Sequence, residues 1–76
     1  MRNSVLERLK ETWPSTVVVR SEVKRFSGGI LNGRTMANLD SQGEGPPGRF
    51  KLGRKTVYPV DELIAWMQSR TKPVGR

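Results

Sequence analysis

The chain has 76 residues, with 14 Lys and Arg against seven Asp and Glu for a formal charge of +7, and it contains no Cys and no His. A chain of this length forms one domain with a thin core, burying only about 60% of the surface its unfolded form exposes, so an elaborate active site does not fit. Its composition excludes disulfides, thiolate nucleophiles, imidazole bases and the usual zinc sites, while the cationic excess points to a polyanionic partner such as nucleic acid.

In chain order, Ser4-Val5-Leu6-Glu7 has the spacing of a capping box, and a first helix is expected from Val5 to Thr12. Val5, Leu6, Leu9 and Trp13 fall on one stripe of that helix, suited to core packing or to a dimer contact, and Pro14 ends it. Thr16 to Val19 is short and β-branched and reads as an extended lead-in. Its Val17-Val18-Val19 is the longest apolar run, too short for a membrane span or a signal-peptide core, which predicts a cytoplasmic protein. Ser21 is a candidate N-cap for a helix over Glu22 to Phe26, with Val23 and Phe26 on its buried side. Ser27-Gly28-Gly29 stops that helix, and Asn32-Gly33 starts the next.

From Arg34 to Gln42 the helical wheel puts Met36 and Leu39 on one side and Arg34, Asn38, Ser41 and Gln42 on the other. The polar side is built of groups that can hydrogen-bond base edges and phosphates, although an ordinary solvated face has the same composition. Gly43 to Gly48 holds three glycines and two prolines and is expected to be a loop. In Arg49-Phe50-Lys51-Leu52 the alternation predicts Phe50 and Leu52 on a buried face and the cations outside. Gly53-Arg54 then forms a two-residue type II′ turn that returns the chain through Lys55-Thr56-Val57-Tyr58 as a basic β-hairpin. A final helix is expected from Val60 or Asp61 to Ser69, with Val60, Leu63, Ile64 and Met67 inward and Trp66 at the stripe's edge. Thr71 to Arg76 reads as a frayed basic tail. The organisation expected is therefore an N-terminal helix (1–15), a helix-turn-helix with a wing (16–70) and a flexible tail (71–76). The fold class is mainly α with a small β-hairpin.

With these elements in place, Val19 to Arg70 resembles the helix-turn-helix family of phage excisionases and AlpA-type prophage regulators, itself similar to the MerR-like winged-helix domain. The resemblance is carried by Lys51-Leu52-Gly53-Arg54-Lys55 followed by Tyr58, Asp61, Leu63 and Trp66. It is also carried by Ser21-Glu22-Val23, Arg34-Thr35-Met36 and the loop Gly43 to Pro47. From Glu22 to Thr35 this chain is about two residues longer than the common family pattern.

The resemblance implies that the helix beginning near Gly33 enters the major groove of double-stranded DNA, with Arg34, Thr35 and Asn38 on bases, supported by Ser41 and Gln42. The wing would hold the backbone through Arg49, Lys51, Arg54 and Lys55, with Lys24 and Arg25 adding contacts from the first motif helix. Between Arg20 and Lys55 eight basic residues stand against three acidic ones. The resemblance further implies tandem copies, a dimer or bent DNA, with an integrase or other recombinase, or RNA polymerase, as protein partner. The expected role is excision or transcription control, with no cofactor, no metal and no small-molecule substrate. The competing class is a protein-interaction module such as a phage antirepressor, with Trp13 at its contact surface, or a nonspecific nucleic-acid-binding protein. RNA binding lacks its usual pairs of exposed aromatics. For an enzyme, Tyr58 reads as a structural aromatic, and adjacent Asp61 and Glu62 point apart on a helix.

Overall fold

The computed structural model describes residues 4–72 and 74. The first helix of the sequence is divided into α1 (Ser4–Glu7) and α2 (Leu9–Thr12). At the junction, the Arg8 amide donates to the Val5 carbonyl at 3.2 Å and the Glu11 amide to the Arg8 carbonyl at 3.0 Å, the tight three-residue spacing that interrupts an α-helix. Leu6 is buried in the core, with Leu9 and Trp13 packed against it. Val5, expected in the same stripe, is 67% exposed and lies outside it. Trp13 precedes Pro14 and is extended (ψ 127°), as the proline ring requires of its neighbour.

The β-branched lead-in is a strand, β1 (Val17–Val19). With β2 (Phe50–Leu52) and β3 (Lys55–Pro59) it forms a three-stranded antiparallel sheet in the order β1-β3-β2, in place of the isolated hairpin expected. A two-stranded ribbon is marginal alone, and β1 satisfies the second edge of β3. Val18 pairs with Tyr58, and both are fully buried.

A 3-10 turn over Arg20–Glu22 leads into the single-turn helix α3 (Val23–Phe26). Ser21 therefore lies within the 3-10 turn and not at an α-helical cap; the residue preceding α3 is Glu22, whose side chain makes no capping hydrogen bond. The following turn is organised by buried Ser27, whose hydroxyl donates to the Val23 carbonyl at 2.7 Å and accepts the Leu31 amide at 2.9 Å. Gly28 (φ 68°) and Gly29 (φ 95°) take the left-handed conformations this turn needs. Helix α4 (Gly33–Ser41) begins at Asn32, whose Oδ1 accepts the Thr35 amide at 2.9 Å. Helix α5 (Val60–Ser69) follows β3 directly and buries Val60, Leu63, Ile64, Trp66 and Met67. Among the described residues no helix is long and apolar enough to cross a membrane.

The hairpin corrects one expectation. Directly paired residues of an antiparallel ladder share a face. Tyr58 and Val18 face the helices, so Thr56 and its partner Lys51 lie on their side, while Phe50, Val57 and Val19 lie on the other. Phe50 is 45% and Leu52 72% exposed, so the apolar residues of β2 are not the buried face of the wing. The tail's positions 73, 75 and 76 lie outside the described residues. Before them, Thr71 is half-buried, with its hydroxyl on the Gln68 carbonyl at 2.8 Å.

Candidate nucleic-acid interface

Helix α4 divides as its sequence does. Met36 is fully buried, whereas Arg34, Thr35, Asn38, Ser41 and Gln42 are all exposed on the opposite side. Positions 34, 38 and 41 recur at helical spacing, so their side chains form one polar strip, with Thr35 and Gln42 flanking it. Ser41 spends its hydroxyl proton on the Asn38 carbonyl at 2.9 Å and keeps its lone pairs free to accept.

The helix is fixed to the sheet by a buried charge. Asp40 projects from its inner side with only 8% of its side chain exposed. Its Oδ2 accepts from Arg20 Nη2 at 2.5 Å and from the Tyr58 hydroxyl at 2.6 Å, and that hydroxyl in turn accepts from Arg20 Nε at 3.0 Å. Burial raises the Tyr58 pKa above its ordinary value, and its hydrogen bond to Asp40 adds to the shift. The Arg20 guanidinium is likewise held in its charged form, first by the bond to Tyr58 and then by Asp40. Asp40 Oδ1 has no hydrogen-bond partner among the described residues; Arg49 Nε stands 3.4 Å away, close enough for attraction but not aligned to donate.

Arg49 is thus turned toward the protein. Its Nη1 donates to the Pro46 carbonyl at 3.0 Å and its Nη2 approaches the Asp40 carbonyl at 3.4 Å, so its charge is largely engaged between α4 and the loop before β2. That loop is pinned elsewhere too: Trp66 Nε1 donates to the Glu44 carbonyl at 2.9 Å and Pro46 is fully buried. Arg25 is also engaged, pairing with Glu22 Oε1 at 2.9 Å and lying 4.9 Å above the Trp13 ring, although the pair is exposed and weak. Lys24, Arg34, Lys51, Arg54 and Lys55 are exposed and form no ion pair with another described residue.

The hairpin tip meets the start of α4 across an open cleft of about 280 Å³, lined by Val19, Arg20, Ser21, Gly33, Arg54, Lys55 and Thr56. The turn at its rim has the expected geometry. Leu52 pairs with Lys55, which leaves two residues between the strands, and a positive φ occurs at Gly53 (66°) but not at Arg54, as a type II′ turn requires. Arg54 and Lys55 are therefore brought together with the first turn of α4, while Lys24 and Arg25 sit on α3 outside the cleft lining and Arg49 faces inward. Ser21 and Thr56 were not among the expected contacts, yet they line this cleft; the pairing of Thr56 with Lys51, implied by a two-residue turn, was the available signal. Among the described residues no cluster of three or more carboxylates could hold a metal ion.

Compared with protein-family models, curated proteins and solved structures, the chain matches none of them.

Proposed function

We propose that the chain is a sequence-reading, double-stranded-DNA-binding domain of winged helix-turn-helix type, with α4 as the reading helix and the β2–β3 hairpin as the wing. In this reading Arg34, Thr35 and Asn38 reach base edges with Ser41 and Gln42 beside them, and Lys51, Arg54, Lys55 and Lys24 hold phosphates. Its biological role is excisionase-like or transcription-regulating, in a prophage or similar mobile element.

The observation that carries this reading is the cleft that joins Gly33, at the positive end of α4, to two exposed cations of the hairpin tip, Arg54 and Lys55. The same arrangement gives less support to an interaction module built on Trp13. That ring packs edge-on against Phe26 at 5.3 Å and donates to the Val17 carbonyl at 2.9 Å, so its surface is already committed.

The reading is tested by selecting bound sites from random duplex DNA and titrating the winner and a scrambled duplex at several salt concentrations. Four exposed cations on phosphates give a slope of log affinity on log salt of about −4. A preferred motif that Asn38→Ala abolishes supports the reading. Equal, weak binding to every sequence sinks specific readout.

A further inference from the structure

We propose that the wing is an apolar wedge: Leu52 inserts at a base step of duplex DNA and bends it, while Lys51, Arg54 and Lys55 hold the flanking phosphates. The proposal rests on the DNA-binding reading and adds a mode of binding to it.

The sheet's outer face supplies the argument. Val19, Val57 and Phe50 form one cross-strand row on the side away from the helices. Val57 is 5% exposed and stands apart from the main core cluster, on the same face of the sheet as Val19 and Phe50. Phe50 stands directly opposite Val57, and the next position outward on that face is Leu52, 72% exposed and directly opposite Lys55. No core packing accounts for an exposed leucine at the end of a short strand beside a two-residue turn.

Its surroundings indicate the occupant. Residues 45–60 contain four cations and no acidic residue, and Lys51, Arg54 and Lys55 all lie within three positions of Leu52 and are free of ion pairs with described residues. A tip so charged, on a chain of charge +7, repels a second copy and attracts a polyanion. Lys55 also lines the cleft with Gly33, so the tip adjoins the start of α4, the helix whose exposed strip offers hydrogen-bonding groups for which base edges are the natural counterpart and lipid headgroups are not. Apolar side chains flanked by cations enter the minor groove and part stacked bases, most easily at flexible pyrimidine–purine steps such as TA.

The test uses the full chain and a selected duplex carrying fluorescent donor and acceptor at its ends, with anisotropy reporting binding and energy transfer reporting bending. The wild-type protein is expected to shorten the end-to-end distance and to render the thymine of a TA step reactive to permanganate. Leu52→Ala is expected to lose both signals while affinity changes by less than about tenfold, because the lost contact and the avoided unstacking offset each other. Leu52→Met is expected to keep them, and unchanged melting temperatures for both variants exclude unfolding. Binding without shortening, or equal bending by Leu52→Ala, overturns the wedge and leaves the DNA reading standing. Absence of any anisotropy change removes the DNA reading and the wedge with it. Binding to anionic vesicles that depends on Leu52, with no bent duplex, assigns the tip to a membrane surface and overturns the proposal.

Discussion

The Tyr58 hydroxyl donates to Asp40 Oδ2 at 2.6 Å and so joins the central strand of the sheet to the inner side of the polar helix α4. Arg20 closes the triangle from the 3-10 turn, bonding both partners. The position of the exposed strip of α4 relative to the hairpin depends on this polar triad, because removing any one member leaves the others with unmet hydrogen bonds away from water.

Tyr58→Phe removes one donor and one acceptor from the triad without opening a cavity. We expect a loss of about 1–2 kcal/mol, lowering the melting temperature by roughly 4–8 °C per kcal/mol in a domain of this size. Thermal melts followed by circular dichroism check this. An unchanged melt would mean that the triad contributes nothing beyond packing.

Alkaline pH acts on the same group. The folded state raises the Tyr58 pKa, so it binds the phenolic proton more tightly than the unfolded chain does. This contribution to stability is complete below about pH 10, where a free tyrosine ionises, and is lost as pH climbs through the higher folded value. Tyr58 is the chain's one tyrosine, so tyrosinate absorbance reads it directly. The expected midpoint lies above that of the denatured chain, and Tyr58→Phe removes the matching alkaline loss of stability.

Gly45 lies against the triad, and a Cβ there would overlap Asp40 Oδ1 and stand 2.9 Å from its Cγ. Gly45→Ala should push the carboxylate from its partners at a cost of about 1–3 kcal/mol. The control is Gly33→Ala, whose Cβ would meet only ordinary contacts with Arg20 at 3.5 Å or more, and which should melt near the wild type.

Arg49 and Lys55 separate structural from ligand-facing charge. Lys55→Ala is expected to reduce the salt slope of DNA binding by about 1 with little effect on the melt, as for a lost phosphate contact. Arg49→Ala should do the reverse, since its guanidinium is engaged with Asp40 and the Pro46 carbonyl. Titrations at several salt concentrations beside thermal melts distinguish the two.

Ser27→Ala tests the turn between α3 and α4. It leaves the Leu31 amide without its partner in a buried place, at a cost of about 1–3 kcal/mol. Ser27→Thr, which keeps the hydroxyl, should recover part of that loss in the same melting assay.

Much of the architecture was legible locally. Asn32-Gly33, Gly53-Arg54 and Pro59 bound their elements through the dihedral preferences of those residues, and the polar strip of α4 follows from helical spacing alone. What misled were positions whose environment lies far along the chain. The helical wheel gave Asp40 no role, and nothing near it in sequence announces Arg20 and Tyr58, 20 and 18 positions away, as its partners. Ser21 had the right residue type for a cap, but the 3-10 turn placed it beside the hairpin instead.

The sequence by itself determined the charge, the absence of thiol and imidazole chemistry, and where the later helices and the hairpin turn begin and end, because these depend on composition and on contacts within a few residues. The tertiary structure alone decided which face of the hairpin turns inward. Alternation in Arg49-Phe50-Lys51-Leu52 defines two faces but does not say which one meets the helices. That choice fell to Val18 and Tyr58, paired across β1 and β3: burying them puts Thr56 and Lys51 on the side of the core and leaves Phe50 and Leu52 facing out.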